Sequence, residues 1–527
     1  MSVAVPMPAS PKKSSRRSPE HMLNEVRVRL QEISDLSGAA AVLNWDQATH
    51  MPSGGAASRA RQYARVSRIA HERMMRPALG RLLDALVPYG ESLPPDSDDA
   101  RLIAVTRREF ERVRKVPPRH VQRANAIGAA SYHAWTKARP ANDFAAMRPY
   151  LEHMIDLSRE YASFFGPYSH IADPLIDDVD EGMTYASVRA LLADLRSELV
   201  PLVRAVCEQP VVDTSCLQGQ FAPEAQVEFG LSIACAFGYD LTRGRLDRSP
   251  HPFCTKFSRD DVRITTRVRA DELTYALFST LHEAGHAMYE QGVAPALAGT
   301  PLGQGASMGV HESQSRLWEN VVGRSRDAWE HYFPKLQRVF PDQLGNASLQ
   351  RFYCAINKVE KTLIRTEADE LTYNLHIILR FDLETELLEG RLAVKDLPEA
   401  WRARYQRDLA IAPPDDRDGC LQDVHWYGSG VGAAFPSYTI GNVLSAQFYA
   451  AALRAHPDIP QDMRAGEFVT LHGWLSDNLY RHGRKFTPAE VVQRATGEPI
   501  TIKHYVNYLR KKYGELYGLR PAAAFAQ

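Results

Sequence analysis

The heptapeptide Leu281-His282-Glu283-Ala284-Gly285-His286-Ala287 writes H-E-x-x-H inside a stretch whose apolar residues recur at helical spacing. Residues four apart share one face of a helix about a turn apart, so the two imidazoles can meet one tetrahedral cation, with Glu283 beside them as a candidate base. Such a segment reads as a helix with its His pair beside the apolar stripe, toward an interior; a solvated or core-capping histidine pair is the alternative. Leu273, Leu277, Leu281 and Ala284 supply the apolar stripe, Asp271 is the expected N-cap, and Gly292 is the expected glycine just past the helix end. With 18 histidines in 527 residues, the pattern arises by chance in roughly a few of every hundred such chains. The setting therefore matters as much as the match.

A catalytic cation of this kind needs a third protein ligand and keeps one position for water. In H-E-x-x-H-x-x-G-x-x-H the third ligand is a nearby histidine, but that position holds Gly292, which excludes the arrangement. A glutamate on a second helix is the other solution. Glu312, in His311-Glu312-Ser313-Gln314-Ser315-Arg316, follows a loop bearing Gly and Pro in which the chain can turn back. Glu319 and Glu290 compete with it, and spacing alone does not decide among the three.

The motifs also form an ordered series. Trp45-Asp46-Gln47-Ala48-Thr49-His50-Met51-Pro52 opens it. His251-Pro252-Phe253, Asp261-Val262-Arg263-Ile264-Thr265, the H-E-x-x-H and His311-Glu312-Ser313-Gln314 follow. Ile364-Arg365-Thr366-Glu367-Ala368-Asp369 and Gly419-Cys420-Leu421-Gln422-Asp423-Val424-His425-Trp426 complete it. In this the chain resembles the M32 family of metallocarboxypeptidases, the thermostable carboxypeptidase type of the gluzincin clan, from Glu20 to Leu519.

That resemblance implies a mostly α, neurolysin-like fold: two helical lobes around a deep groove, with a small β-sheet beside the zinc helix. It implies one zinc ion per chain on His282, His286 and Glu312, where cobalt or manganese would also suit such ligands. The implied reaction removes residues from the carboxyl end of peptides with broad specificity, Glu283 acting as general base and acid on the attacking water. His425 and Tyr438 are similar to the donors that steady the carbonyl oxygen in related gluzincins. Arg365 maps onto an arginine suited to the substrate's terminal carboxylate, whose two oxygens match the guanidinium fork. Arg263 is second for that task, and His251 would shape the cleft wall. Taken without the family, Arg365 and Asp369 read as an i,i+4 pair on a solvated helix face. An oligoendopeptidase sharing the zinc core is the nearer alternative, and a non-enzymatic metal-binding scaffold the further one. Family members are typically homodimers.

Composition sets wider bounds. Lys+Arg and Asp+Glu both number 63, so no global field recruits nucleic acid or membrane. No apolar run approaches the ~20 residues of a membrane span. The six cysteines, Cys207, Cys216, Cys235, Cys254, Cys354 and Cys420, form no C-x-x-C pair, which fits a reducing, cytoplasmic setting. Residues 1–19, rich in Ser, Pro, Lys and Arg, read as a disordered basic tail, and 20–527 as a single helical peptidase domain. Helical rhythm recurs at Leu23, Val26, Leu30 and Ile33, and at Val188, Leu191, Leu192, Leu195 and Leu199. Pro201 is expected to kink or split the second of these helices. Thr487-Pro488-Ala489-Glu490 is a capping box. The one clear strand, Asp261 to Val268, is expected at the sheet edge beside the cleft, where a peptide can pair with it.

Overall fold

A computed structural model describes residues 17–519 apart from 429 and 433. Of the expected tail, residues 1–16 lie outside the described residues. Ser18 already accepts the His21 N–H, and Pro19 starts helix α1 (Pro19–Thr49), so the helical body begins ahead of the expected boundary.

Helices α1, α2 (Ala56–Met74), α3 (Pro77–Ser92) and α4 (Asp98–Lys115) open the chain. The sequence writes their ends plainly. Ser97 caps α4, Asp98 and Asp99 sit in its first turn, and Arg112, Arg114 and Lys115 in its last, each charge matched to the helix dipole. Leu23, Val26 and Leu30 of α1 meet Leu79, Leu83 and Leu86 of α3 and Leu102, Ile103 and Phe110 of α4 in a small core of their own, closed by Val293, Leu297 and Leu302. The remaining helices share a second, much larger core. Among the described residues no helix is long and apolar enough to cross a membrane.

The sheet has three strands, β1 (Leu246–Arg248), β2 (Cys254–Ser258) and β3 (Asp261–Thr266), in the order β1-β3-β2. β3 runs parallel to β1 and antiparallel to β2, so it is central, contrary to the expectation of an edge. It also stops at Thr266, short of Val268. Its Val, Ile and Thr residues reflect burial from both sides: Val262, Ile264, Thr265 and Thr266 are all buried. The edge beside the cleft belongs to β2.

Two expectations about helix ends need correction, and Pro201 does not split its helix. The helix bearing H-E-x-x-H spans Leu273–Gly292, and Glu272, not Asp271, holds its N-cap position, without a side-chain bond. Gly292 is inside the helix. A Cβ there would stand 2.5 Å from the Tyr480 Cβ, so packing, not capping, calls for glycine. The helix Tyr185–Cys207 runs unsplit through Pro201, because Leu195, Leu199, Val203 and Val206 bury the same face on both sides of it. The capping box at Thr487 forms as expected, with Glu490 returning to the Thr487 N–H.

Candidate metal centre

His282 and His286 leave the Leu273–Gly292 helix one turn apart, their ring centroids 5.0 Å apart and their planes at 82°. Glu312 comes from the helix Met308–Arg316, whose start is fixed by Ser307 accepting the Val310 N–H. The two helices meet backbone to backbone at Gly285, where a Cβ would lie 2.5 Å from the Gln314 carbonyl oxygen. Behind Glu312, Gly441 of the helix Phe435–Ala455 leaves room of the same kind: a Cβ there would be 2.6 Å from the Glu312 Cγ. One glycine on each side thus lets Glu312 sit where it does.

The Glu312 Oε2 lies 3.4 Å from His286 Nε2 and 3.8 Å from His282 Nε2. Ligand atoms ~2.1 Å from a tetrahedral centre stand about 3.4 Å apart. These three atoms lie within 4.8 Å of one another, the one such His, Cys, Asp or Glu set among the described residues. Two nitrogens and one carboxylate oxygen at that spacing fit a divalent cation.

The two competing glutamates have other duties. The helix continues past Arg316 as a π-turn, Leu317–Val322, which brings Glu319 round so that its Oε2 accepts a hydrogen bond from His282 Nδ1 at 2.8 Å. That bond fixes the imidazole and leaves Nε2 for a metal. Glu290 sits deeper, 2.9 Å from His311 Nε2 and 2.6 Å from the Lys256 ammonium. His311 in turn lies 2.5 Å, Nδ1 to Nδ1, from His286. His311 belongs to the His311-Glu312-Ser313-Gln314 run, yet no spacing rule marks it as the partner of His286.

Arg316 bonds the second Glu312 oxygen at 2.8 Å and reaches Glu319 at 3.3 Å. Burial would raise the Glu312 carboxyl, but Arg316 and the two histidines hold it well below the usual range. Burial pushes His286 down to about 4. For His282, burial is outweighed by Glu312 and Glu319, so its affinity for a proton rises. Glu283 is pushed up to about 7, chiefly by burial, with Glu312 and Glu319 adding to it. A bound cation would draw all four downwards.

These groups line a cleft of about 590 Å³ together with His251, Arg365, Tyr373, His425 and Tyr438. Arg365 is 6% exposed and sits in a single 3-10 turn, not on a solvated helix face. Its Nε and Nη2 donate to Asp423 at 2.8 and 2.7 Å, and Nη1 donates to the Tyr373 hydroxyl at 3.0 Å, which leaves two N–H donors. Asp369 does not pair with it; that carboxylate accepts the Leu371 and Thr372 backbone N–H groups instead. Asp423 also accepts from Arg380 at 2.8 Å and touches His425 Nδ1 at 3.2 Å, while His425 Nε2 lies 3.3 Å from the Tyr438 hydroxyl. Although burial opposes it, Arg380 and Arg365 keep Asp423 ionised far below the ordinary range. Burial lowers His251 and raises Tyr438, so both are neutral near pH 7.

Arg263 is not brought into the cleft. Strand alternation turns it away from buried Val262 and Ile264, and it pairs with Asp261 at 2.8 Å between the Trp45 and Phe257 rings. Cys254 lines a smaller adjoining cavity with Lys256, Glu283, His286, Glu290 and His311. Cys420 is buried, and all six cysteines are free.

A helical body whose cleft gathers two histidines and a glutamate beside a second buried carboxyl, that of Glu283, defines a metallopeptidase-type centre. Known proteins say which kind. The family described as Carboxypeptidase Taq (M32) metallopeptidase matches residues 25–513. Thermostable carboxypeptidase 1 of Thermus thermophilus is 40% identical over 498 residues, 93% of this chain and 97% of that protein. Carboxypeptidase 1 of Bacillus subtilis is 36% identical over 491 residues, again 93% of this chain and 97% of the relative. The crystal structure of an M32 carboxypeptidase from Deinococcus radiodurans R1 superposes with a TM-score of 0.92 at 50% identity, covering 94% of this chain and 100% of that one. The chain belongs to the M32 metallocarboxypeptidase family.

Proposed function

We propose that His282, His286 and Glu312 hold one zinc ion, and that the protein releases single residues from the carboxyl end of peptides with broad specificity. The observation that carries this reading is the shared cleft: Glu283 is buried against the two imidazoles, and the same space holds Arg365, His425 and Tyr438. Zinc, when bound, supplies Lewis acidity toward the scissile carbonyl and makes water available as hydroxide near neutral pH.

The chain's own groups do the rest. Glu283, whose burial favours holding a proton near neutral pH, takes one from the attacking water and hands it to the departing amine. Asp423 orients His425 through Nδ1, so that His425 and Tyr438 stand together as donors for the charge growing on the carbonyl oxygen. The two unspent N–H groups of Arg365 receive the terminal carboxylate. The β2 edge, whose Cys254 and Lys256 border Glu283, accepts the peptide backbone as an added strand. Around Arg365 the wall is polar, formed by His251, Thr366, Tyr373 and His425, which supports tolerance of many side chains. Equal numbers of acidic and basic residues and six free cysteines support a cytoplasmic protein whose partners are peptides, neither nucleic acid nor membrane. The homodimer implied by the family stays part of this reading, and sedimentation velocity tests it.

Glu283→Gln is the direct test of the mechanism. The variant is expected to bind one equivalent of zinc with wild-type affinity and to lose about 10³-fold in kcat. Turnover unchanged at full zinc loading would overturn the role of Glu283.

A further inference from the structure

One buried carboxylate is not used by this mechanism yet touches two of the helices that build the site. We propose that Asp180 is a positioning residue that fixes Glu312 and Tyr438 relative to each other. The inference rests on the metal and donor roles proposed above.

Asp180 is 1% exposed. It follows the short helix Asp173–Val179, and its backbone is held on both sides, N–H to the Ile176 carbonyl at 2.8 Å and C=O to the Met183 N–H at 3.0 Å. Its carboxylate spans two elements. Oδ1 accepts the Gly309 N–H at 2.8 Å, in the first turn of the Glu312 helix. Oδ2 accepts the Ser437 hydroxyl at 2.5 Å, in the first turn of the Phe435–Ala455 helix and next to Tyr438. Ser307, the cap of the Glu312 helix, also lies near enough to favour the ionised carboxyl.

Glu312 lies one turn beyond Gly309, so a carboxylate gripping both helix starts sets the ligand oxygen and the phenol in one frame. Two helix N-termini present partial positive charge to it. Those neutral donors offset burial only in part, so the Asp180 carboxyl stays above its usual range. A group kept buried at that cost must repay it in structure, and here the structure concerned is the spacing of Glu312 and Tyr438.

The segment carrying Asp180 is tied to α4 on both sides of that residue. Arg108 and Arg112 of α4 hold Asp177 at 2.8 and 2.6 Å, Arg112 holds Asp178 at 2.8 Å, and Arg108 holds Glu181 at 3.0 Å. Asp178, Val179 and Glu181 line the cleft itself. Asp180 therefore joins the cleft rim to the helix that supplies the third ligand. A displacement of about 1 Å in such a constellation is enough to cost ~10²-fold in rate.

The test compares Asp180→Ala, Asp180→Asn and Ser437→Ala with wild type. Zinc affinity is read by competition with a coloured chelator, fold stability by the Tm of metal-free protein, and kcat and KM on a free-ended peptide. Asp180→Ala is expected to weaken zinc binding about 10- to 100-fold and to lower kcat more than it changes KM. Asp180→Asn keeps one acceptor and falls between. Ser437→Ala, which frees only the Tyr438 helix, is expected to lower kcat while leaving zinc affinity at the wild-type value. Variants that lose only Tm, with zinc affinity and kcat intact, would reduce Asp180 to a helix cap and overturn the proposal. Should the alanine variant fail to fold, the other two carry the test. A wild type that takes up no zinc or leaves the peptide whole defeats the site assignment, whereas silent variants beside an active wild type defeat the role of Asp180 alone.

Discussion

Trp426, the residue after His425, donates its indole N–H to Glu384 at 2.6 Å in the larger core. Burial lifts that carboxyl to about 7, against ~4.3 in an unfolded chain. As pH rises the unfolded chain ionises first, so the stabilisation that is complete below pH ~4.3 is lost as pH climbs through 7, by on the order of 4 kcal/mol. Glu384→Gln keeps the acceptor for Trp426 and removes the titration. Its Tm, followed from pH 5 to pH 8, is expected to fall less than that of wild type; parallel profiles would refute the assignment. At this scale the sequence was readable where chemistry follows local spacing. His282, Glu283 and His286 announce themselves on one helix turn, and Glu312 is reachable as one of three carboxylates. Asp180, His311 and Asp423 carried no such mark, because their partners come from distant parts of the chain and only the fold brings them together.

Elements cross where side chains vanish. Gly285 and Gly441 flank the Glu312 helix, one on each side, and each stands where a methyl group would collide. Gly441→Ala is expected to push Glu312 off the two imidazoles, weakening zinc affinity at least tenfold and costing about 1–3 kcal/mol in stability. Competition against a chelator measures the first and Tm the second; unchanged zinc affinity would show that the ligand geometry does not depend on this close approach. Helix ends were legible only where capping chemistry is self-contained. Thr487 and Glu490 satisfy each other, so the box could be read directly. Asp271 and Gly292 look like caps in sequence, but Glu272 holds the N-cap position and Gly292 lies within the helix, packed against Tyr480. The same holds for β3, whose Val and Ile mark a strand without telling an edge from a centre. Only its pairing with both β1 and β2 decides that.

Over the whole molecule, the small core of α1, α3 and α4 meets the main body along a charged seam. Arg101 pairs with Glu490 at 2.8 Å, Lys485 with Asp98 at 2.7 Å and Arg494 with Asp96 at 2.7 Å, and Arg484 also binds Glu109. Several of these groups are partly exposed, so salt screens them. Raising NaCl from about 0.05 M to about 1 M shortens the Debye length from roughly 14 Å to 3 Å and is expected to speed amide exchange in α4 and residues 484–494 while the core around Glu312 stays protected. Uniform exchange across both would contradict a seam held by charge. The architecture was legible because ordered motifs along nearly the full chain match one family, whereas apolar periodicity alone offered only a helical body. The central claim is that this cleft cuts from a peptide's free carboxyl end with the aid of a bound cation. It is tested most directly by incubating one peptide as free acid and as carboxyl amide, with and without a chelator, and weighing the products. A stepwise ladder from the free acid, abolished by chelation and nearly absent for the amide, is the expected result. Internal fragments formed equally from both peptides, or a ladder indifferent to the chelator, would contradict it.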